Sequence, residues 1–184
     1  MNKDMQKAIT ALKNGECVIF PTDTVYGIFA GAFDKGAAKK IFKIKKRDNK
    51  KPLQVFFDGM KTLEKYVLLN ARQKKILKKN LPGPYTVILK LKPKYKTAFS
   101  FLKNGTVGAR IIKNKYVSTA LKVLKTPLAA TSANISGEPA PRKFKEINHK
   151  LLLKIAVFIK DDSTVNGTAS RVIDITGEKI VILR

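Results

Sequence analysis

Apolar residues in this chain recur at two spacings. Met5, Ala8, Ile9 and Leu12 fall at helical intervals within Asp4 to Lys13, and Asn14-Gly15 stops that helix. Cys17-Val18-Ile19-Phe20 is an uninterrupted apolar run of strand length, followed after a polar segment by the apolar Ile28-Phe29-Ala30. Asp34 is placed to cap a helix running to about Lys45, with Ala38, Ile41 and Phe42 facing the core. Leu53 to Phe57 reads as a strand, Met60 to Leu68 and Asn70 to Lys79 as helices, and Leu81-Pro82-Gly83-Pro84 as a turn into a strand from Tyr85 to Leu91. Thr106 to Ile112 is a further strand, Tyr116 to Leu124 a helix, Lys145 to Leu152 a short helix and Ile155 to Ile159 an apolar strand. Arg171 to Ile175 and Lys179 to Leu183, joined across Thr176-Gly177, predict a hairpin at the end.

Strands and helices that alternate irregularly and finish in a hairpin predict an α/β fold, a mixed sheet with helices on its outer faces. The 184 residues, 44% of them hydrophobic, suit one domain over 1–184 that buries roughly 70% of its unfolded surface. No run of about 18 apolar residues and no signal-peptide pattern occurs, so the expectation is a soluble, cytoplasmic chain with no membrane partner. Cys17 is the single cysteine and His149 the single histidine. One cysteine excludes an internal disulfide, and one cysteine with one histidine gives no support for a zinc cage or a Ser-His-Asp triad, so Cys17 is expected as a buried thiol and His149 as a surface residue.

Charge narrows the field of partners. Thirty-eight Lys and Arg against 13 Asp and Glu give +25, which attracts nucleotides, phosphates and RNA. An AT-biased coding sequence yields the same lysine-rich composition, and both readings stand on composition alone. No G-x-G-x-x-G and no G-x-x-x-x-G-K-[ST] is present, which disfavours a Rossmann or P-loop nucleotide site.

Four stretches carry candidate chemistry. Pro127 to Pro141 runs from a small apolar strand end into hydroxyls, an amide and a glycine, a loop suited to meeting phosphate or carboxylate oxygens. The same loop can instead satisfy only its own backbone. Pro21-Thr22-Asp23-Thr24-Val25-Tyr26-Gly27 offers two hydroxyls and a carboxylate just past a buried strand, where α/β sheets tend to keep ligand groups. The basic run from Lys43 to Pro52 is either a solvated helix end or a phosphate clamp. Arg110 stands in an apolar strand, a position that demands an acidic partner or an anionic ligand.

In this order, these stretches resemble the YrdC/TsaC family, the threonylcarbamoyl-AMP synthases of tRNA modification. The resemblance rests on Pro21 to Gly27, Lys43-x-Lys45-x-Arg47 to Pro52-Leu53, Leu81 to Pro84, Val107-x-Ala109-Arg110, Pro127 to Gly137, and Ser170-x-Val172-x-Asp174 with Ile182-Leu183-Arg184. It implies a YrdC-like twisted mixed sheet around a deep basic cavity that holds ATP beside L-threonine. It implies a reaction in which threonine and bicarbonate form a carbamate that attacks the α-phosphorus of ATP, giving L-threonylcarbamoyladenylate and pyrophosphate, with Mg²⁺ on the phosphates. Partner proteins would then transfer the threonylcarbamoyl group to an adenosine beside the anticodon.

Carried over by position, the resemblance implies a threonine site of Thr24, Arg110, Ala130 and Ser170. It implies an ATP site of Lys45, Arg47, Thr106, Ser132, Asn134 and Arg184, with Lys51 also in reach of phosphate. Lys46, Asp48 and Lys51 stand where the family usually has glycine, proline and asparagine. Phe56 and Ala140 stand where histidine and serine are common. Ser163-Thr164-Val165 imitates the family's tail motif at a spacing that fits worse than Ser170. The chain stops at Arg184, which implies the short form without an added domain. The alternative, from a different class, is a non-enzymatic module whose basic cavity holds tRNA or double-stranded RNA.

Overall fold

The computed structural model describes residues 2–102 and 104–184. Helix α1 (Lys3–Lys13) begins at Asn2, whose side chain accepts from the Met5 N–H. Its stripe of Met5, Ala8, Ile9, Ala11 and Leu12 is buried. Strands β1 (Val18–Phe20) and β2 (Gly27–Gly31) are antiparallel neighbours, and the polar segment between them forms the loop at their shared end. Helix α2 (Lys35–Lys45) is capped by Asp34, which accepts from the Ala37 N–H as its position predicts, and Lys46 ends it in the left-handed region.

Strand β3 (Gln54–Phe56) leads to α3 (Met60–Tyr66) and α4 (Ala71–Asn80), the latter opened by a reciprocal Asn70–Gln73 capping box. The helix expected to reach Leu68 stops at Tyr66 because Val67 is drawn into a bridge with Leu91. Strand β4 (Tyr85–Lys90), strand β5 (Thr106–Arg110), helix α5 (Lys115–Leu124) and strand β6 (Leu128–Ser132) follow. β6 runs further than its small residues suggested. Thr131 and Ser132, read as loop, remain in the strand because β2 pairs with them.

The helix expected over Lys145 to Leu152 is a 3-10 turn at Phe144–Glu146 and then the single-turn α6 (His149–Leu152), on which His149 is exposed. The strand expected over 155–159 narrows to β7 (Val157–Phe158), which has only Val18 and Ile19 to pair with. Strands β8 (Arg171–Asp174) and β9 (Val181–Ile182) form the predicted hairpin.

The nine strands among the described residues join one mixed sheet in the order β7-β1-β2-β6-β3-β5-β4-β8-β9. Two apolar clusters pack its faces, one with α1 and α5 and the other chiefly with α2, α3 and α4. Across the middle of the sheet the register sets Phe29 opposite Ala130, Ala130 opposite Gln54, Gln54 opposite Gly108 and Phe56 opposite Arg110. Directly opposed residues share a face, so this register gathers side chains from four strands over one patch. No helix among the described residues is long and apolar enough to cross a membrane.

Candidate active site

That patch is the floor of a cavity of about 170 Å³ whose walls carry Thr22, Thr24, Arg47, Ser132, Ser170 and Arg184. Arg110 rises from its floor and is 3% exposed. Its Nη2 donates to Asp23 Oδ1 at 2.6 Å, its Nη1 donates to Thr24 Oγ1 at 3.2 Å, and its guanidinium lies 5.0 Å from the centre of the Phe56 ring. Its Nε has no partner. The acidic partner that a buried arginine demands is therefore Asp23. Burial raises the Asp23 carboxyl and lowers the Arg110 guanidinium, and the contact between them opposes both shifts.

The loop between β1 and β2 presents Thr24 in a defined proton state. Thr22 Oγ1 donates to the Val25 carbonyl at 2.7 Å and accepts from the Thr24 N–H at 3.1 Å. A hydroxyl has one proton, so in the 2.9 Å contact between Thr22 Oγ1 and Thr24 Oγ1 the donor is Thr24. Thr24 Oγ1 also accepts from Arg110 and is left with a lone pair to offer a ligand.

On the opposite wall, Ser170 Oγ lies 2.9 Å from Thr86 Oγ1. Arg184 closes over it, its Nε donating to the Ser170 carbonyl at 3.2 Å and its Nη2 to Ser170 Oγ at 3.4 Å. Arg47 donates from Nε to the Lys51 carbonyl and from Nη2 to the Pro52 carbonyl, both at 3.0 Å, which holds the altered basic loop beside the cavity. Three arginines and no carboxylate line this space. An anion fits its electrostatics.

Of the residues expected around a ligand, Thr24, Arg110, Ala130, Ser170, Arg47, Ser132 and Arg184 line the cavity. Four do not. Lys45 is 1% exposed, and its Nζ donates to the Ser132 carbonyl, the Asn134 carbonyl and Asn134 Oδ1, so its protons are spent on the loop after β6. Asn134 is the other half of that clamp, its amide donating to the Ile135 and Glu138 carbonyls. Lys51 is exposed, and its contribution to the site is its carbonyl. Thr106 lines a separate cavity of about 280 Å³, which shares Pro52 and Gln54 with the first.

Sequence reasoning names the segment of Thr22 and Asp23 as candidate chemistry without giving either a role, and it gives none to Thr86 or Tyr26. Asp23 and Thr22 were visible as polar groups past a strand end, and Thr86 as a lone polar residue inside an apolar strand. Tyr26 carried no such signal. It is buried on the cavity wall, with its hydroxyl donating to Asp162 Oδ1 at 2.7 Å and accepting from the Asp161 N–H at 3.0 Å. Ser163 and Thr164 lie in a 3-10 turn and are absent from the cavity wall, whereas Ser170 is on it. Burial pushes the Cys17 thiol up to about 12, leaving it protonated and inert.

A mixed sheet with an arginine-lined cavity over its central strands defines an α/β domain with an electropositive cavity. The family model described as telomere recombination, covering Sua5, YciO and YrdC, matches residues 10–184, and the chain belongs to that family. A Methanocaldococcus jannaschii relative, provisionally named a threonylcarbamoyl-AMP synthase, is 36% identical over 99% of this chain and 87% of its own length. The threonylcarbamoyl-AMP synthase of Pyrococcus abyssi is 34% identical over 94% of this chain. This chain spans 51% of that protein and 52% of the Bacillus subtilis enzyme of the same name. The crystal structure of P. abyssi Sua5 complexed with L-threonine superposes with a TM-score of 0.89 at 31% identity, covering 98% of this chain and 53% of that one. E. coli YciO, at 24% identity and a TM-score of 0.86, shares the fold.

Proposed function

We propose that this chain is an L-threonylcarbamoyladenylate synthase, a nucleotidyltransferase using L-threonine, bicarbonate and ATP. The observation that carries the reading is Arg110, a buried guanidinium fixed at the cavity floor beside Thr24, in a chain whose relatives bear that enzyme's name. Arg110 is suited to pair with the carboxylate of threonine. Thr24 Oγ1, as an acceptor, suits the substrate's hydroxyl or N–H, and Ser170 and the Ala130 backbone complete the threonine end. Arg47 and Arg184 suit the phosphates of ATP, Ser132, whose proton goes to Asn134 Oδ1, offers the nucleotide an acceptor oxygen, and Thr106 in the adjoining cavity suits the rest of it.

The chemistry asks the protein mainly for positioning and for positive charge. The threonine amine and bicarbonate combine to a carbamate with loss of water. A carbamate oxygen then bonds to the α-phosphorus as the bond from that phosphorus to the bridging oxygen breaks, and pyrophosphate leaves with the electron pair. Arginines around the phosphates stabilise charge on the leaving group. Among the described residues, no group of three or more His, Cys, Asp or Glu is placed to hold a metal ion. A Mg²⁺ ion accompanying ATP is part of that substrate.

The relatives favour the synthase over a module that only binds RNA. Its product would pass to the proteins that modify the tRNA adenosine. The test is pyrophosphate release from ATP and Mg²⁺ in bicarbonate buffer, with and without L-threonine, with the nucleotide products read by mass spectrometry. Threonine-dependent release with a threonylcarbamoyl-adenylate product is expected. A folded protein that yields no such product but binds RNA in a salt-dependent way overturns the proposal.

A further inference from the structure

Lys45 joins two parts of the chain that meet only in the fold. Its side chain leaves the last turn of α2, passes through the interior and ends among the carbonyls of Ser132 and Asn134 and the Oδ1 of Asn134. An ammonium has three protons, and three acceptors surround this one. The Lys45 main-chain carbonyl adds a fourth tie by accepting from the Ser136 N–H at 2.9 Å. Asn134 Oδ1 is shared, because it also accepts from Ser132 Oγ, the hydroxyl on the cavity wall. No carboxylate bonds to Nζ. Glu138 favours its charge from a distance and Arg47 opposes it, while burial pushes the amine down to about 7.

We infer that Lys45 is a positioning residue, which fastens the end of β6 and so fixes Ser132 Oγ at the cavity instead of gripping a phosphate itself. A buried cation costs free energy unless its protons are all bonded, and here the loop carbonyls do that bonding. The same carbonyls would face one another unsatisfied without it. Part of this inference, the effect on ATP, rests on the proposed function; the ordering of the loop does not.

Hydrogen exchange on the ligand-free protein reads the loop directly. In Lys45→Met, the amides of Ala133, Ser136 and Glu138 are expected to exchange at least tenfold faster, with those of α5 unchanged. Unaltered exchange in the loop overturns the inference. ATP titration by calorimetry supplies the second arm. Lys45→Met should weaken ATP binding, and adding Ser132→Ala should weaken it little further, whereas Arg47→Ala should add in full. Full additivity with Ser132→Ala, together with a salt dependence flattened as in Arg47→Ala, means that Lys45 touches phosphate and the inference is wrong. Should Lys45→Met not fold, Asn134→Ala removes one acceptor of the same ammonium. Faster exchange at Ser136 then supports the clamp, and normal exchange overturns it. A protein that makes no adenylate at all removes the proposed function while leaving the exchange result standing.

Discussion

Arg110 Nη2 stands 2.6 Å from Asp23 Oδ1, with the Arg110 side chain 4% exposed and that of Asp23 21%. The pair links the last residue of β5 to the loop after β1 and opposes the lowering that burial imposes on the guanidinium. Replacing Asp23 by Asn keeps the shape and removes the counter-charge. The threonine KM is expected to rise by about tenfold or more, with that for ATP nearly unchanged, and stability to fall by about 1–3 kcal/mol after discounting for the partial exposure of Asp23. Urea unfolding and steady-state kinetics check both halves.

Removing the Arg110 side chain should cost threonine binding on the order of 2–5 kcal/mol and ATP binding far less. Calorimetric titration of each ligand decides it. Equal losses for the two would mean that Arg110 shapes the cavity without pairing to the carboxylate.

Thr24 offers a ligand a lone pair and no proton, so its substitutions separate two roles. Thr24→Val removes the acceptor with little change of volume and should weaken threonine binding by about 1–3 kcal/mol, while Thr24→Ser should retain most of it. A valine variant that binds threonine normally would place the hydroxyl in the service of Arg110 alone.

Arg47 spends two of its protons on the Lys51 and Pro52 carbonyls and keeps three for the cavity. Arg47→Ala should weaken ATP binding and flatten its dependence on salt, because one fewer cation meets the phosphates. An unchanged salt slope would mark Arg47 as loop architecture only.

Lys45 sets a pH dependence whose sign follows from its burial. Its amine lies at about 7 in the fold against an ordinary 10.5. Between those values the unfolded chain holds a proton that the folded chain has released, so this group makes stability rise with pH across that window. Below about pH 7 both states are protonated and the contribution is flat. Comparing wild type with Lys45→Met by chemical denaturation at pH 7 and pH 9 isolates the term. A wild-type protein that loses stability relative to the variant over that interval would contradict the burial of a cation there.

Local signals in the chain were enough for most of the elements. Asp34 and Asn70 cap the helices they precede, and the apolar runs at 17–20, 53–57 and 85–91 became strands, because caps and apolar periodicity act within a few residues. They were weakest where pairing set the limit: β6 continues through Thr131 and Ser132 because β2 accepts them, and β7 shrinks to the two residues that β1 can hold. The cavity followed the same division. Arg110 was legible as a charge that needs a partner, since an arginine in an apolar strand cannot be left unpaired.

Which partner it found was not legible. Asp23 lies 87 positions away, as do the Ser132 carbonyl and Lys45 from each other. By itself the sequence determined the alternation of strands and helices, the positive charge and the residue types that a ligand would meet. The tertiary structure decided which of those residues face the cavity: Arg47, Arg110 and Arg184 do, while Lys45 is turned inward to bind the loop. The reason is proton accounting. A donor serves a ligand only when the fold has not already given it an acceptor, and those acceptors are supplied by segments distant in the chain.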